Sequence, residues 1–361
     1  MLFKYQNIKT IIPGVILAFI FCLFSQGINN LLAIEIFDTP KSPISTVLIA
    51  ILLGIIMGNA FTPRPGMMIG LDFTQQYILK LGIIFLGIRL SFTDLIKFGS
   101  IAIPLVIFCI LGVIILIKLL IKKVPISSKM SYLIAIGTSV CGATAIVATA
   151  PVINAKKTEV AYAIANITLF GVIAMLIYPY FAEWYFDNNS LEAGLFLGTS
   201  IHETSQVAAA GLIYDQQFNN PETLDVATVT KLIRNTFLVI LIPLFAFLYN
   251  RGEIKDQKYS LLNIFPYFVI GFIGMIIVRN LGDQFFTMEN NYFHVWSNFI
   301  EYLKILATVF LTMAMAAVGI SINLGELRSM GYKPFIVGLI AAVTVGIISL
   351  IYIETLNSFL V

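Results

Sequence analysis

Gly137-Thr138-Ser139-Val140-Cys141-Gly142-Ala143-Thr144 and Gly198-Thr199-Ser200-Ile201-His202-Glu203-Thr204-Ser205 repeat one polar phrase inside two stretches that otherwise read as apolar. Aligned without gaps, Gly137, Thr138 and Ser139 fall on Gly198, Thr199 and Ser200. Val140 falls on Ile201, and Thr144 on Ser205. A hydrocarbon core holds no water for exposed backbone groups, so irregular polar backbone there must be buried in protein or line a cavity. Two interrupted segments in corresponding places are the best sequence pointer to a transporter's binding site. The phrase predicts an all-α polytopic membrane protein with two discontinuous helices, either re-entrant or crossing; a second echo, on helices that would run in opposite directions, adds inverted repeats.

Composition agrees. Of 361 residues, 59% are hydrophobic and 11% charged, against roughly 25% charged in a soluble domain. The net charge of +3 is too small to suggest a nucleic-acid partner; the partners expected are lipid and a small anion, with a homo-oligomer left open. Cys22, Cys109 and Cys141 all lie in apolar stretches and form no disulfide or metal pattern. Two histidines, His202 and His294, do not suggest a metal site. No cofactor is expected beyond coupling protons or sodium. Lys4 and Lys9 precede an apolar run with no small-x-small cleavage site after it, which reads as a retained first helix.

A bilayer core needs about 20 apolar residues per helix. About 11 segments result, at 11–33, 43–60, 75–92, 101–121, 130–153, 159–183, 191–213, 226–249, 262–280, 299–321 and 333–355. Pro40, Pro43, Pro63, Pro65, Pro125, Pro221 and Pro334 fall at or near the breaks. The expected organisation is one transporter domain over 1–361, with peripheral helices in 1–74 and repeat-like cores in 75–183 and 191–355.

Positive charge sets orientation. Lys4 and Lys9, then Lys122, Lys123 and Lys129, then Arg251, Lys255 and Lys258 are cytoplasmic if the N-terminus is inside, and the C-terminus is then outside. The loop around Asp215, Glu222 and Asp225 lies outside. Lys156 and Lys157 fit this pattern if segments five and seven are re-entrant hairpins, with Asp187 and Glu192 outside, and resist it if segment five crosses. A second echo joins Gly87, Ile88, Leu95 and Gly99 to Gly319, Ile320, Leu327 and Gly331, with Asp94 opposite Glu326. The two echoes do not follow the same chain order.

Thr138, Ser139, Thr144, Thr199, Ser200, Thr204 and Ser205 offer hydroxyls where a helix should break, and helix N-termini beyond the breaks would favour an anion. The alternative is hydroxyls that bond back to the preceding turn or pack helices closely. His202 and Glu203 are ionisable groups at membrane depth, where such groups are costly and usually functional. They read as ion-coupling residues, with Gln206 able to orient either. Otherwise Glu203 caps the second half-helix. Lys231 and Arg234 share a helical face with Ala227 and Asn235; they attract an anion or snorkel to lipid phosphates. Arg89 reads as a snorkelling residue, His294 and Trp296 as an interfacial loop. Tyr178, Tyr180, Trp184 and Tyr185 read as a membrane belt. Cys141 reads as a packing residue.

From residue 80 onward the chain resembles the YeiH-type sulfate exporter family. The matching phrases are LGIIFLGIRLSFTDL (81–95), GTSVCGATAIVATAPVI (137–153), EVAYAIANITLFG (159–171), GLFLGTSIHETSQVAAAG (194–211), KLIRNTFL (231–238) and MAAVGISINLGEL (315–327). The resemblance extends to the bile-acid/arsenite/riboflavin transporter superfamily, whose members have inverted repeats and discontinuous helices that usually cross. It implies sulfate or a related sulfur oxyanion as cargo and a bacterial cytoplasmic (inner) membrane as location. With no GxxxxGK[ST] in the chain, transport would draw on a gradient. The residues leave open a sodium- or proton-coupled carboxylate carrier, a channel, and an intramembrane hydrolase using Ser139 or Ser200 with His202, although no nucleophile elbow surrounds them.

Overall fold

The computed structural model describes residues 8–36, 42, 44–61, 64–120, 127–151, 153–249, 267–286, 292–323, 325 and 332–360. Lys4, Lys122, Lys123, Arg251, Lys255, Lys258, Glu326, Leu327, Gly331, Pro40, Pro43, Pro63 and Pro125 lie outside these residues. The helices in chain order are α1 (Ile8–Leu31), α2 (Thr46–Ala60), α3 (Pro65–Phe73), α4 (Leu79–Leu86), α5 (Phe92–Leu120), α6 (Ser128–Ser139), α7 (Ala143–Thr149), α8 (Lys157–Phe186), α9 (Ser190–Ser200), α10 (Thr204–Phe218), α11 (Pro221–Thr236), α12 (Leu238–Tyr249), α13 (Phe268–Phe285), α14 (Phe293–Ser321) and α15 (Tyr332–Leu360). No strand occurs among the described residues. Among the described residues, seven helical runs are long and apolar enough to cross a membrane, and Thr46–Ala60 is a shorter apolar helix. This is an all-α polytopic membrane protein.

Local chemistry sets many of the boundaries. Ser45 accepts the Leu48 N–H at 3.1 Å and Ser127 the Met130 N–H at 3.1 Å, capping α2 and α6 in the ordinary way. Pro65 and Pro221 stand at the first positions of α3 and α11, where a missing N–H costs nothing. The expected segment 226–249 is instead two abutting helices, α11 and α12, meeting at Phe237. Pro65 falls at the break after α2, as expected, and opens a run that continues through α4, ten residues earlier than the expected segment 75–92.

The chain forms two compact units. One comprises Met1–Ile96, Leu212–Pro221 and Tyr267–Leu324; the other comprises Lys97–Gly211, Glu222–Pro266 and Gly325–Val361. In the first, α14 packs on α2, α4 and α1. Small residues permit the approach: a Cβ on Gly54 would stand 3.0 Å from the Gly319 Cα, the close backbone contact that drives helix association in lipid. Gly87 and Gly319, aligned in the second echo, lie here at a shared kind of helix ending. The Leu90 N–H reaches the Gly87 carbonyl at 3.3 Å and the Ile322 N–H the Gly319 carbonyl at 3.1 Å, after which Leu90 and Ile322 are extended.

Two surface expectations change in this unit. Arg89 does not snorkel: its guanidinium lies 3.6 Å from Asp215 and donates to the Pro221 carbonyl at 3.1 Å. His294 and Trp296 are not in a loop but in the first turn of α14. Trp296 donates to Asp283 at 2.9 Å and stacks on Phe286, because an indole buried at a helix end needs a partner for its N–H. Asp215, expected in an outer loop, is in the last turns of α10.

The second unit packs α8 against α6, α7 and α9, and α15 against α6, α8 and α9. Trp184 is strongly exposed, as a membrane-belt residue is. The first echo lies wholly within this unit.

Candidate functional site

Each polar phrase spans the end of one helix and the start of the next. The first ends α6 at Ser139; Val140, Cys141 and Gly142 follow, and α7 starts at Ala143. The second ends α9 at Ser200; Ile201, His202 and Glu203 follow, and α10 starts at Thr204. α6 has 12 residues and α9 has 11, about half the length that spans a hydrocarbon core. Each therefore leaves its final carbonyls without helical partners and with partial negative charge.

Two side chains of α11 supply those partners. Lys231 and Arg234 are fully buried, at 0% exposure, which removes the snorkelling alternative. The Lys231 ammonium donates to the carbonyls of Val140 at 2.8 Å, Ile201 at 2.9 Å and His202 at 2.5 Å. Arg234 Nε donates to the Ser139 carbonyl at 2.7 Å, and its terminal nitrogens donate to the carbonyls of Thr199 at 2.5 Å and of Thr138. The echo explains the pattern. Val140 and Ile201 are aligned positions, and both bind Lys231. Thr138 and Thr199 are aligned positions, and both bind Arg234. One turn of one helix thus ties equivalent points of both breaks, a charge-assisted arrangement stronger than neutral hydrogen bonds.

The loose ends beyond the breaks are joined differently. Gly142 has φ +69° and ψ −124°, a conformation that essentially only glycine holds. A Cβ there would meet the Glu203 Cγ at 2.6 Å. Glu203 occupies the aligned position in the other break. Its carboxylate accepts from the Thr168 hydroxyl at 3.1 Å and interacts with the Ala143 N–H that opens α7. Gln206 accepts the Glu203 N–H at 3.2 Å and donates to the Thr168 carbonyl at 3.2 Å, half of a capping box for α10. Gln206 thus fixes the Glu203 backbone, and Thr168 its carboxylate. Glu203 stands at the N-terminal cap of α10, with its carboxyl beside Gly142 of the other break.

The remaining candidates divide. The hydroxyls of Thr138, Ser139 and Ser200 and Nδ1 of His202 are buried and have no hydrogen-bond partner among the described residues, a costly condition for polar atoms. Thr199 is satisfied by the Leu195 carbonyl at 2.7 Å and by the Ser349 hydroxyl at 2.7 Å. Thr204 accepts from the Asn235 amide at 2.9 Å. Ser205 is buried, whereas Thr144 is exposed and stands apart from the buried hydroxyls. Sequence reasoning missed Thr168 and Ser349. Each is a single polar residue in an apolar helix, and the membrane-depth position of that polarity was the available signal.

Comparisons with known proteins cover nearly all of this. The model of the family described as "Conserved hypothetical protein 698" matches residues 13–338. A UPF0324 membrane protein of Streptococcus agalactiae is 34% identical over 352 residues, 96% of each chain. One of Fusobacterium nucleatum is 32% identical, over 93% of this chain and 96% of its own. One of Yersinia pestis is 33% identical, over 91% of this chain and 88% of its own. With the family model spanning both breaks and the cation-bearing helix, the chain belongs to the UPF0324 family of membrane proteins, which is the YeiH family of the resemblance.

Proposed function

We propose that this protein is a secondary active transporter of a small anion, bound where the two broken helices meet. The observation that carries this reading is a charge imbalance. Lys231 and Arg234 are both fully buried, and Glu203 is the one carboxylate among the described residues that interacts with Lys231 there. Two cations against one carboxylate leave a formal positive excess inside an apolar unit; the carbonyls that Lys231 and Arg234 bind satisfy their donors but carry only partial charge, and a buried net charge is expensive. An anion beside the unpartnered hydroxyls of Thr138, Ser139 and Ser200 would relieve both deficits. Sulfate or a related sulfur oxyanion leads only through the resemblance to the YeiH-type sulfate exporters, and export follows from the same source. The location is a bacterial cytoplasmic membrane, with the N-terminus inside and the C-terminus outside on the distribution of lysine and arginine.

Two other readings are weaker. A hydrolase needs its nucleophile bonded to a base, yet the hydroxyls of Ser139 and Ser200 and Nδ1 of His202 have no hydrogen-bond partner among the described residues. A cation-coupled carboxylate carrier would use the same hydroxyls and differs only in cargo. A thermal-shift screen across inorganic and organic anions, followed by flux in liposomes, tests the proposal. Sulfur oxyanions should stabilise the protein and move across the membrane; stabilisation by none of the panel would overturn it.

Glu203 gives the test its pH arm. With Glu203 protonated, the site presents two cations; with Glu203 ionised, it presents an excess of one. A dianion should therefore bind less well as pH rises through the titration of Glu203. Glu203→Gln keeps a hydrogen-bonding group beside Thr168 without the charge. It should retain binding, flatten the pH profile and abolish coupled movement. A wild-type pH profile in this variant would pass the coupling role to His202.

A further inference from the structure

We propose that the carbonyls of Val140, Ile201 and His202 form a monovalent-cation site that the protein keeps filled with its own Lys231 ammonium. Three main-chain oxygens converge on one nitrogen at 2.8, 2.9 and 2.5 Å. An ammonium has three donors, and three acceptors meet it. Rings of backbone carbonyls are the usual means of replacing the hydration shell of a monovalent ion. Val140 and Ile201 stand just beyond the ends of α6 and α9, so the partial negative charge of two helix C-termini adds to the cage. Two of the three oxygens occupy aligned positions of the echo, and the third belongs to the next residue of the second break.

The same geometry defines the ion. Arg234, three residues along α11, donates to the Ile201 carbonyl at 3.5 Å as well as to Thr199. A second positive charge so close disfavours a divalent ion. The oxygens are spaced for an ion of ammonium size, so potassium and ammonium should fit better than sodium. The tether makes the wild-type cage independent of dissolved cations, because no free ion competes with an ammonium held by its own backbone at high effective concentration. Removing the tether should turn the cage into an ordinary binding site. The inference needs no cargo and stands apart from the anion reading.

The test compares full-length wild type, Lys231→Ala and Lys231→Met by thermal unfolding in choline chloride and in the chlorides of ammonium, potassium and sodium at equal ionic strength. Chloride is constant and no candidate cargo is added, so failure here leaves the proposed function untouched. The wild-type unfolding temperature should be the same in all four salts. Lys231→Ala should be the least stable protein in choline and should gain several degrees, saturably, in ammonium or potassium. Lys231→Met, whose stem occupies the space without the charge, should be destabilised and unresponsive. Recovery of Lys231→Ala only when ammonium or potassium is present throughout purification supports the proposal equally. It is overturned if Lys231→Ala unfolds at one temperature in all four salts, if it is recovered in none of them, if Lys231→Met gains as much, or if wild type itself gains.

Discussion

The two breaks are alike in main chain and unlike in side chain. At the near ends, aligned carbonyls do the same thing: Thr138 and Thr199 accept from Arg234, and Val140 and Ile201 accept from Lys231. At the far ends the aligned pair is Gly142 and Glu203, and these two positions touch. Only one of them can carry a side chain, because a Cβ on Gly142 would overlap Glu203. The first break supplies glycine and an open helix start; the second supplies the carboxylate that faces it. Cys141 against His202 repeats the theme, with a small apolar group opposite an ionisable one. Symmetry of the backbone shapes the site, and its violation by the side chains places the titratable groups, Glu203 and His202, in the second break alone.

The symmetric half should be the more expensive to break. Arg234→Ala removes donors from carbonyls of both breaks at once, each buried acceptor left unpaired costing about 1–3 kcal/mol. We expect a loss of about 3 kcal/mol or more, read as a large fall in thermal unfolding temperature. A fall within replicate error would mean the breaks hold themselves.

The asymmetric half comes next. Gly142→Ala forces a Cβ into a glycine-only conformation and against Glu203, a strain of about 1–3 kcal/mol. Pairing it with Glu203→Gly sharpens the comparison. The double variant should recover the steric part but not the conformational part, leaving a residual cost near the low end of that range. If the double variant is as unstable as the sum of the two single ones, the contact between these positions is not what selects glycine.

Ser139→Ala and Ser200→Ala probe an aligned pair whose hydroxyls are both unpartnered. Stability should hardly change, since no internal hydrogen bond is lost. Anion affinity should fall by about 1–2 kcal/mol in each, measured by titration on purified protein. Equal losses would place the anion between the breaks, and a loss in one variant alone would place it against that break. Unchanged affinity in both would mean that these hydroxyls only pack helices.

The smallest effect concerns the brace on the carboxylate. Thr168→Val removes one hydrogen bond to Glu203 and should cost about 0.5–1.5 kcal/mol. It should also alter the pH dependence of anion binding, while Thr199→Val, on the symmetric side, should leave that dependence alone. A shifted profile in Thr199→Val would show that the two halves are coupled more widely than their hydrogen bonds.

Much of this architecture is legible in the chain. The apolar runs give the membrane class because lipid tolerates few charges. The echo gives the breaks, since glycine and hydroxyl residues at membrane depth have few other uses. The i, i+3 spacing of Lys231 and Arg234 shows that they share a face. Which way that face points was not legible. A cation within two turns of a helix start reaches phosphate or protein equally well, and only the packing of α11 decides. Arg89 went the other way from its expectation for the same reason: Asp215, its partner, is distant in sequence. Thr168 and Ser349 stood out only weakly, because a lone threonine or serine in an apolar helix commonly bonds to its own preceding turn.

By itself the sequence determined the class of protein, the positions of the two breaks and the identity of the charged residues, all of which follow from hydropathy and from a repeat visible along one chain. Only the tertiary structure decided what those charges do. Pairing a cation with carbonyls far away in sequence depends on how helices pack, and main-chain oxygens, present at every residue, leave no mark in the sequence to say which of them will be bound.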